Sequence, residues 1–130
     1  CSDLVDVEIP SGITSLSKYC FYRCESLTSV NIPSSVTSIG DYCFDDCEGL
    51  TNINIPSSVT SLGCDCFYGC KNISSFVIPA SVAFIGDWCF SECDNLETMV
   101  FKGGLPKIVM RLMFVSYWCR LQSWKNMRKL

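Results

Sequence analysis

Residues 27–50 read LTSVNIPSSVTSIGDYCFDDCEGL, and the same order of apolar, proline and cysteine positions recurs before and after this stretch. An interval of 23 residues separates Pro10, Pro33, Pro56 and Pro79, and the same interval separates Phe21, Phe44, Phe67 and Phe90. A fixed interval of this length indicates that the chain is built from repeated units that stack on one another.

Each unit opens with a short strand followed by proline. Val30 and Ile32 are two residues apart, so their side chains share one face of a strand, while Ser29 and Asn31 face the other way. Pro33 cannot donate a backbone hydrogen bond and ends the strand. Stacking the units places these strands side by side in one parallel sheet.

The second half of each unit carries a cysteine pair. Cys43 and Cys47 are four residues apart, and Phe44 lies between them, which suits one turn of α or 3₁₀ helix with its apolar side inward. A glycine precedes this segment in three units, and we expect it to mark a bend with an unusual φ angle. These glycines are Gly40, Gly63 and Gly86. The pattern therefore predicts an α/β solenoid with strands on one side and short helical turns on the other.

Charge divides the chain into two parts. Residues 1–101 contain 13 acidic and three basic side chains, whereas residues 102–130 contain seven basic and no acidic ones. The repeat register is lost after Ile108, so we assign residues 1–108 to the array and 109–130 to a degenerate last repeat and basic amphipathic C-terminal cap. Alternatives for this tail are contact with a membrane or an acidic partner, or a disordered tail.

The unit L-x-x-V-x-I-P-x-S-V-x-x-I-G-x-x-C-F-x-x-C resembles the BspA-like class of leucine-rich repeats, most specifically in the string IPSSVTSIGD at residues 32–41. This resemblance implies a right-handed leucine-rich repeat solenoid with the parallel sheet on its concave face and helical turns on its convex side. It also implies adhesion or host-protein binding at the surface of mucosal bacteria or protists, without catalytic residues. Since Cys1-x-x-Leu4 matches Cys24-x-x-Leu27, the chain begins inside a repeat, and we expect a longer parent array.

Nine of the eleven cysteines fall into two columns at the repeat interval. The columns are Cys20, Cys43, Cys66, Cys89, and Cys1, Cys24, Cys47, Cys70, Cys93. We favour buried free thiols, since cysteine behaves as a small apolar side chain. Disulfides between stacked neighbours and a zinc site are the alternatives. The chain has no histidine to pair with a cysteine nucleophile, and no glycine-rich phosphate loop, so we expect no enzyme activity, no metal and no cofactor.

The outward side of the strands is the remaining candidate site, because solenoids bind partners on such extended concave surfaces. Its residues are Asp6, Glu8, Ser29, Asn31, Asn52, Asn54, Ser75, Val77, Thr98 and Val100. We expect a protein ligand on this face and no nucleic acid, and we note that open sheet edges permit end-to-end self-association. The predicted function is a non-enzymatic protein-interaction module of a cell-surface or extracellular protein. The alternative is an intracellular, cytoplasmic scaffold that uses the same face.

Overall fold

A computed structural model of the chain describes residues 3–103 and the backbone of residues 128–129. Ten short strands occur in these residues. They are β1 Asp6–Glu8, β2 Ser15–Leu16, β3 Ser29–Asn31, β4 Ser38–Ile39, β5 Asn52–Asn54, β6 Ser61–Leu62, β7 Ser75–Ile78, β8 Phe84–Ile85, β9 Thr98–Phe101 and β10 Arg128–Lys129. Successive turns of the chain stack in parallel register, which confirms the predicted solenoid.

The strands form three parallel hydrogen-bonded sheets, ordered β1-β3-β5, β10-β9-β7 and β2-β4-β6-β8. Each strand pairs with the equivalent strand of the next unit, so that Val7 lies beside Val30, and Val30 lies beside Ile53. The sequence predicted only one sheet. The four-stranded sheet arises because Ile39 and its equivalents lie on short strands that also pair between units.

The core runs the length of the stack and consists of the apolar columns predicted from the repeat. Its central element is a column of nearly parallel phenylalanine rings. The ring centroids are 5.3 Å apart between Phe21 and Phe44, 5.3 Å between Phe44 and Phe67, and 5.7 Å between Phe67 and Phe90. Each buried ring removes a large apolar surface from water, which is worth roughly 1.5–3 kcal/mol.

The predicted short helical turns are wrong, because the described residues contain no helix. In the second unit the amides of Tyr42 and Phe44 donate to the carbonyls of Cys64 and Cys66 in the next unit, at 2.9 and 2.8 Å. An amide that donates to the next unit is not available for the i→i−4 bond of a helix. The turn segments are therefore held by their own series of hydrogen bonds between units. This series is separate from the bonds that join the strands.

Backbone angles in these segments also exclude a helix. Tyr19 and Arg23 have φ angles of 63° and 55°, in the left-handed region that a right-handed helix never uses. The amide of Cys20 donates to the carbonyl of Ser17 at 3.2 Å, and that of Cys24 to Phe21 at 3.2 Å. Each bond closes a turn whose third residue has positive φ, as in type II turns.

Gly40, Gly63 and Gly86 do not adopt the unusual φ angle that the sequence predicted. Their role is close approach between units. A Cβ on Gly40 would lie 2.8 Å from the backbone nitrogen of Lys18, and one on Gly63 would lie 2.5 Å from that of Asp41. Backbones of adjacent units therefore pack too closely at this position for any side chain.

The strand ladder is interrupted between the third and fourth units, where β5 and β7 do not pair. In the fourth unit, Phe76 stands where β3 and β5 carry Val30 and Ile53. Its buried ring packs edge-on against Phe67 and Phe90, with centroids 4.9 and 4.8 Å away. Phe67 and Phe90 are also the most widely spaced neighbours of the phenylalanine column, at 5.7 Å.

The predicted C-terminal cap at 109–130 lies outside the described residues except at 128–129. There the backbone forms β10, which runs parallel to β9 on the side away from β7.

Candidate functional site

The predicted binding residues lie at the outward positions of β1, β3, β5, β7 and β9, and we call this set the strand strip. All ten are exposed or partly exposed: Asp6, Glu8, Ser29, Asn31, Asn52, Asn54, Ser75, Val77, Thr98 and Val100. The inward residues that alternate with them belong to the core or pack against it. Strand alternation thus presents the strip to solvent, as the sequence predicted for these positions.

Strand pairing divides the strip into two halves, one on β1, β3 and β5 and the other on β7 and β9. In the first half, Asp6 lies beside Ser29, and Ser29 lies beside Asn52. The Ser29 hydroxyl donates to the Asp6 carboxylate at 2.6 Å, which links the first two strands on their outer side. This half of the strip is polar and carries its negative charge at the β1 edge.

The second half of the strip is formed by β7 and β9 and is more apolar. Val77 lies beside Val100, and Ser75 lies beside Thr98. Val77 is 43% exposed, although it is a large aliphatic side chain. The interruption between β5 and β7 separates this half from the polar one, so the ten residues do not form one continuous hydrogen-bonded surface.

The arrangement of the strip suits a broad contact rather than chemistry on a small molecule. Its side chains stand in rows on separate strands, and the two halves differ in polarity. Among residues 3–103 no group of three or more His, Cys, Asp or Glu side chains is placed to hold a metal ion. None of the described residues forms a helix able to cross a membrane.

Exposed aromatic residues on the turn segments were not predicted as functional. Tyr19, Tyr22 and Trp88 are 48%, 42% and 52% exposed, in contrast to the strip, which has no aromatic side chain. We call the outward side chains of residues 18–23, 41–46, 64–69 and 87–92 the turn face. The signal was present in the sequence as a column at the repeat interval. This column consists of Tyr19, Tyr42, Asp65 and Trp88.

Comparison with known protein families shows which family the chain belongs to. The description "BspA type Leucine rich repeat region" matches residues 1–116 in six copies. The chain belongs to the BspA-type leucine-rich repeat family. None of the curated proteins matches the sequence significantly.

Solved structures of leucine-rich repeat proteins have the same fold as this BspA-type array. One from Bacteroides ovatus is 30% identical, with a TM-score of 0.74 over 82% of this chain and 33% of its own. A leucine-rich cell surface protein from Faecalibacterium prausnitzii is 26% identical, with a TM-score of 0.53 over 75% of this chain and 39% of its own. The present chain thus spans a third to two fifths of the length of these two proteins.

The pneumococcal vaccine antigen PcpA shows the likeness of fold alone. It is 17% identical, with a TM-score of 0.74 over 96% of this chain and 27% of its own.

The cysteine columns of the BspA-type array are mainly reduced and buried. Eight of the described cysteines form no disulfide bond, and six of these are buried. The eight are Cys20, Cys43, Cys47, Cys64, Cys66, Cys70, Cys89 and Cys93. Cys24, by contrast, is disulfide-bonded, so the expectation of a buried thiol does not hold at this position. Thiols of the second column also donate hydrogen bonds, as from Cys47 to the Phe21 carbonyl at 3.1 Å.

Alkylation is expected to separate these thiols by position. Cys20 is exposed and Cys64 partly exposed, so they should react with iodoacetamide in the native protein. Burial raises the pKa of Cys47 to about 12 and raises that of Cys43 as well, which removes the reactive thiolate at neutral pH. Peptide mapping should find the buried thiols labelled only after unfolding, with Cys20→Ser as the control for the fastest site. Equal labelling of Cys20 and Cys43 in the native state would contradict this assignment.

A buried carboxyl group lies just beneath the turn face. Asp45 is 8% exposed, and burial together with the charges of Asp46 and Asp65 raises its pKa to about 6, against a smaller opposing effect of Arg23. In the other units this position carries Tyr22, Tyr68 or Ser91. Between about pH 4 and pH 6 the folded chain binds more protons here than the unfolded chain, so this group's contribution to stability falls as pH rises.

Replacing Asp45 by asparagine should therefore stabilise the protein at neutral pH and not at acidic pH. We expect the free energy of unfolding to rise by about 1–2 kcal/mol at pH 7.5, a value that allows for partial screening by solvent, and to change little at pH 4.5. Urea unfolding at a series of pH values measures this difference. Asp3→Asn, at an exposed position, is the matched control. A difference between Asp45→Asn and the parent that is constant with pH would show that Asp45 titrates normally.

Proposed function

We propose that this chain is a non-enzymatic protein-binding module, namely the adhesive or host-protein-binding repeat region of a surface protein. The observation that carries the proposal is the strand strip, in which five strands present rows of exposed side chains. These side chains do not converge on one point. Such a surface offers many weak contacts over a long distance, which suits a macromolecular ligand better than a substrate. The polar half can supply hydrogen bonds, and the valines of β7 and β9 can supply an apolar contact.

Two observations support a location at the cell surface. The Faecalibacterium prausnitzii protein of the same fold is described as a cell surface protein. The disulfide at Cys24 is consistent with an oxidising compartment, where such bonds persist.

An intracellular scaffold is the second candidate, and the free thiols favour it. Eight of the described cysteines form no disulfide bond, which is typical of proteins in reducing compartments. Six of them are buried, however, and burial also protects thiols from oxidation outside the cell. The two candidates use the same binding face and differ in the source of the partner.

Site-specific photocrosslinking tests the proposal. A benzophenone amino acid would replace Asn54 in the strip or, as the matched control, Thr60, which is exposed in the same unit but outside the strip. The protein would be applied to the surface of intact mucosal epithelial cells and, separately, to a cytosolic extract of the producing cell. We expect saturable adducts from position 54 with cell-surface proteins and none from position 60.

Each other outcome is informative. Saturable adducts from position 54 in the cytosolic extract alone would favour the scaffold. Equal adducts from both positions, or no saturable adduct from either, would contradict binding by the strip.

A further inference from the structure

The turn face combines exposed aromatic rings with an excess of negative charge. Its segments in the second to fourth units contain six carboxylates and no basic residue. These are Asp41, Asp45, Asp46, Asp65, Asp87 and Glu92. The only basic side chains of the face, Lys18 and Arg23, lie in the first unit, and Arg23 contacts Glu25 at 3.8 Å. Apart from the buried Asp45, these carboxylates are exposed or partly exposed, so within residues 3–103 the turn face of the second to fourth units carries an excess of negative charge beside Tyr42, Tyr68 and Trp88.

The first two units show how this surface accommodates a cation. The rings of Tyr19 and Tyr42 stack with centroids 4.8 Å apart and an interplanar angle of 9°. The ammonium nitrogen of Lys18 lies 5.5 Å from the first centroid and 5.8 Å from the second. Both distances are within the range of a favourable cation–π contact. At this end of the face, Lys18 of the chain itself thus contacts the stacked rings of Tyr19 and Tyr42.

The next three units carry no lysine or arginine at the positions equivalent to Lys18. Asp65 follows Tyr42 in the same column, and Trp88 follows Asp65. Lys18 is replaced in the neighbouring column by Asp41, then Cys64, then Asp87. The position that holds an ammonium group in the first unit is therefore neutral or anionic further along the stack.

We propose that the turn face of the second to fourth units binds a lysine- or arginine-rich polypeptide segment. Its cationic side chains would lie against the rings of Tyr42 and Trp88 and pair with the carboxylates of Asp65 and Asp87. Aromatic rings beside carboxylates recognise such cations through both the ring face and the charge. Complementary charge would also speed the encounter with a basic partner.

The extent of the surface favours a polypeptide over a single ion. The rings of Tyr19 and Tyr42 are 4.8 Å apart, and the buried phenylalanine rings beneath show that units continue to follow one another at 5.3–5.7 Å, so three units present their groups as a row and not as one cluster. No group of three or more potential ligands in residues 3–103 is placed to hold a metal ion. A chain with several cationic side chains can contact successive units of the row at once.

The carboxylates of the turn face also repel one another. Burial, followed by the charges of Asp41 and Asp87, raises the pKa of Asp65. The charge of Asp65 is in turn the largest cause of the raised pKa of Tyr42. Carboxylates this close repel one another at neutral pH, and a bound cationic segment would relieve that repulsion.

Fluorescence anisotropy with a defined peptide tests this proposal on the full chain. The probe is a labelled twelve-residue peptide of alternating lysine and glycine, and the same peptide with glutamate in place of lysine is the negative probe. The turn-face variant carries Asp65→Asn and Asp87→Asn. The matched control carries Asp6→Asn and Glu8→Gln, which change the net charge equally but lie in the strand strip. Trp88→Ala removes a ring without changing charge.

We expect the lysine peptide to bind the parent protein, and the turn-face double variant to lose about tenfold in affinity at low salt. Trp88→Ala should lose about threefold, and the strip control should lose less than twofold. Urea unfolding would confirm that each variant is folded. Equal losses in the turn-face and strip variants would show attraction by net charge alone and overturn the proposal, as would the absence of binding to the parent. Neither result would affect the proposed role of the strand strip, which is tested at position 54.

Discussion

Replacing Phe44 by alanine is expected to lower the free energy of unfolding by about 3–5 kcal/mol. Phe44 is fully buried and stacks between Phe21 and Phe67, with both centroids 5.3 Å away. Alanine removes the ring from the middle of the column and leaves a cavity lined by two other rings. Because each unit of a solenoid contacts only its neighbours, the loss weakens the interfaces on both sides of the second unit.

Urea unfolding followed by circular dichroism measures the effect of Phe44→Ala. Phe84→Ala is the matched control, since Phe84 is 42% exposed and lies on the outer side of β8. The control should change stability by less than about 1 kcal/mol. Similar losses for the two variants would mean that the phenylalanine column is not the centre of the core.

Replacing Gly63 by alanine is expected to cost about 2–3 kcal/mol. The added Cβ would lie 2.5 Å from the backbone nitrogen of Asp41 and 2.6 Å from the carbonyl carbon of Gly40. Backbone atoms cannot move aside as a flexible side chain would, so the third unit must shift away from the second. The shift would lengthen the hydrogen bond from the Gly63 amide to the Ile39 carbonyl, which is 2.9 Å long.

Gly12→Ala is the control for this substitution. No atom lies within 4 Å of a Cβ built on Gly12, and its φ angle is not in the left-handed region. Alanine should be neutral there or stabilise the protein by about 0.4–1 kcal/mol, because it restricts the unfolded chain. Equal destabilisation by the two variants, measured by thermal or urea unfolding, would contradict close approach as the reason for glycine at position 63.

The repeat interval was sufficient to predict the stack, the core columns and the exposure of the strand strip. These features depend on which residues recur every 23 positions, and the sequence states that directly. Val30 and Ile32 could be assigned to the inside, and Ser29 and Asn31 to the outside, from strand alternation alone. The structure confirms these assignments.

The turn segments could not be assigned from local sequence. Cys43 and Cys47 are spaced as in one turn of a helix, but two successive β-turns place them inward equally well. The choice is made by bonds between units, such as that from Phe44 to Cys66, and a single repeat does not contain them. Positive φ at Tyr42 and Asp46, neither of which is glycine, gave no signal in the sequence.

Two further features depended on packing between units. Phe76 fits the apolar pattern of its column, yet its size accompanies a break in the strand ladder that the pattern did not predict. The aromatic column of the turn face was visible at the repeat interval. Its exposure depends on the conformation of the turns, which bonds between units determine, so the sequence alone did not indicate a second surface.

Hydrogen bonds between units hold the turn segments in register and thereby create two distinct exposed faces. Scalar couplings across hydrogen bonds, measured by NMR on isotope-labelled protein, test it directly. We predict a coupling between the amide nitrogen of Phe44 and the carbonyl carbon of Cys66, whose donor and acceptor atoms are 2.8 Å apart. A coupling from Phe44 to the carbonyl carbon of Gly40 instead would show a helical turn and contradict the account.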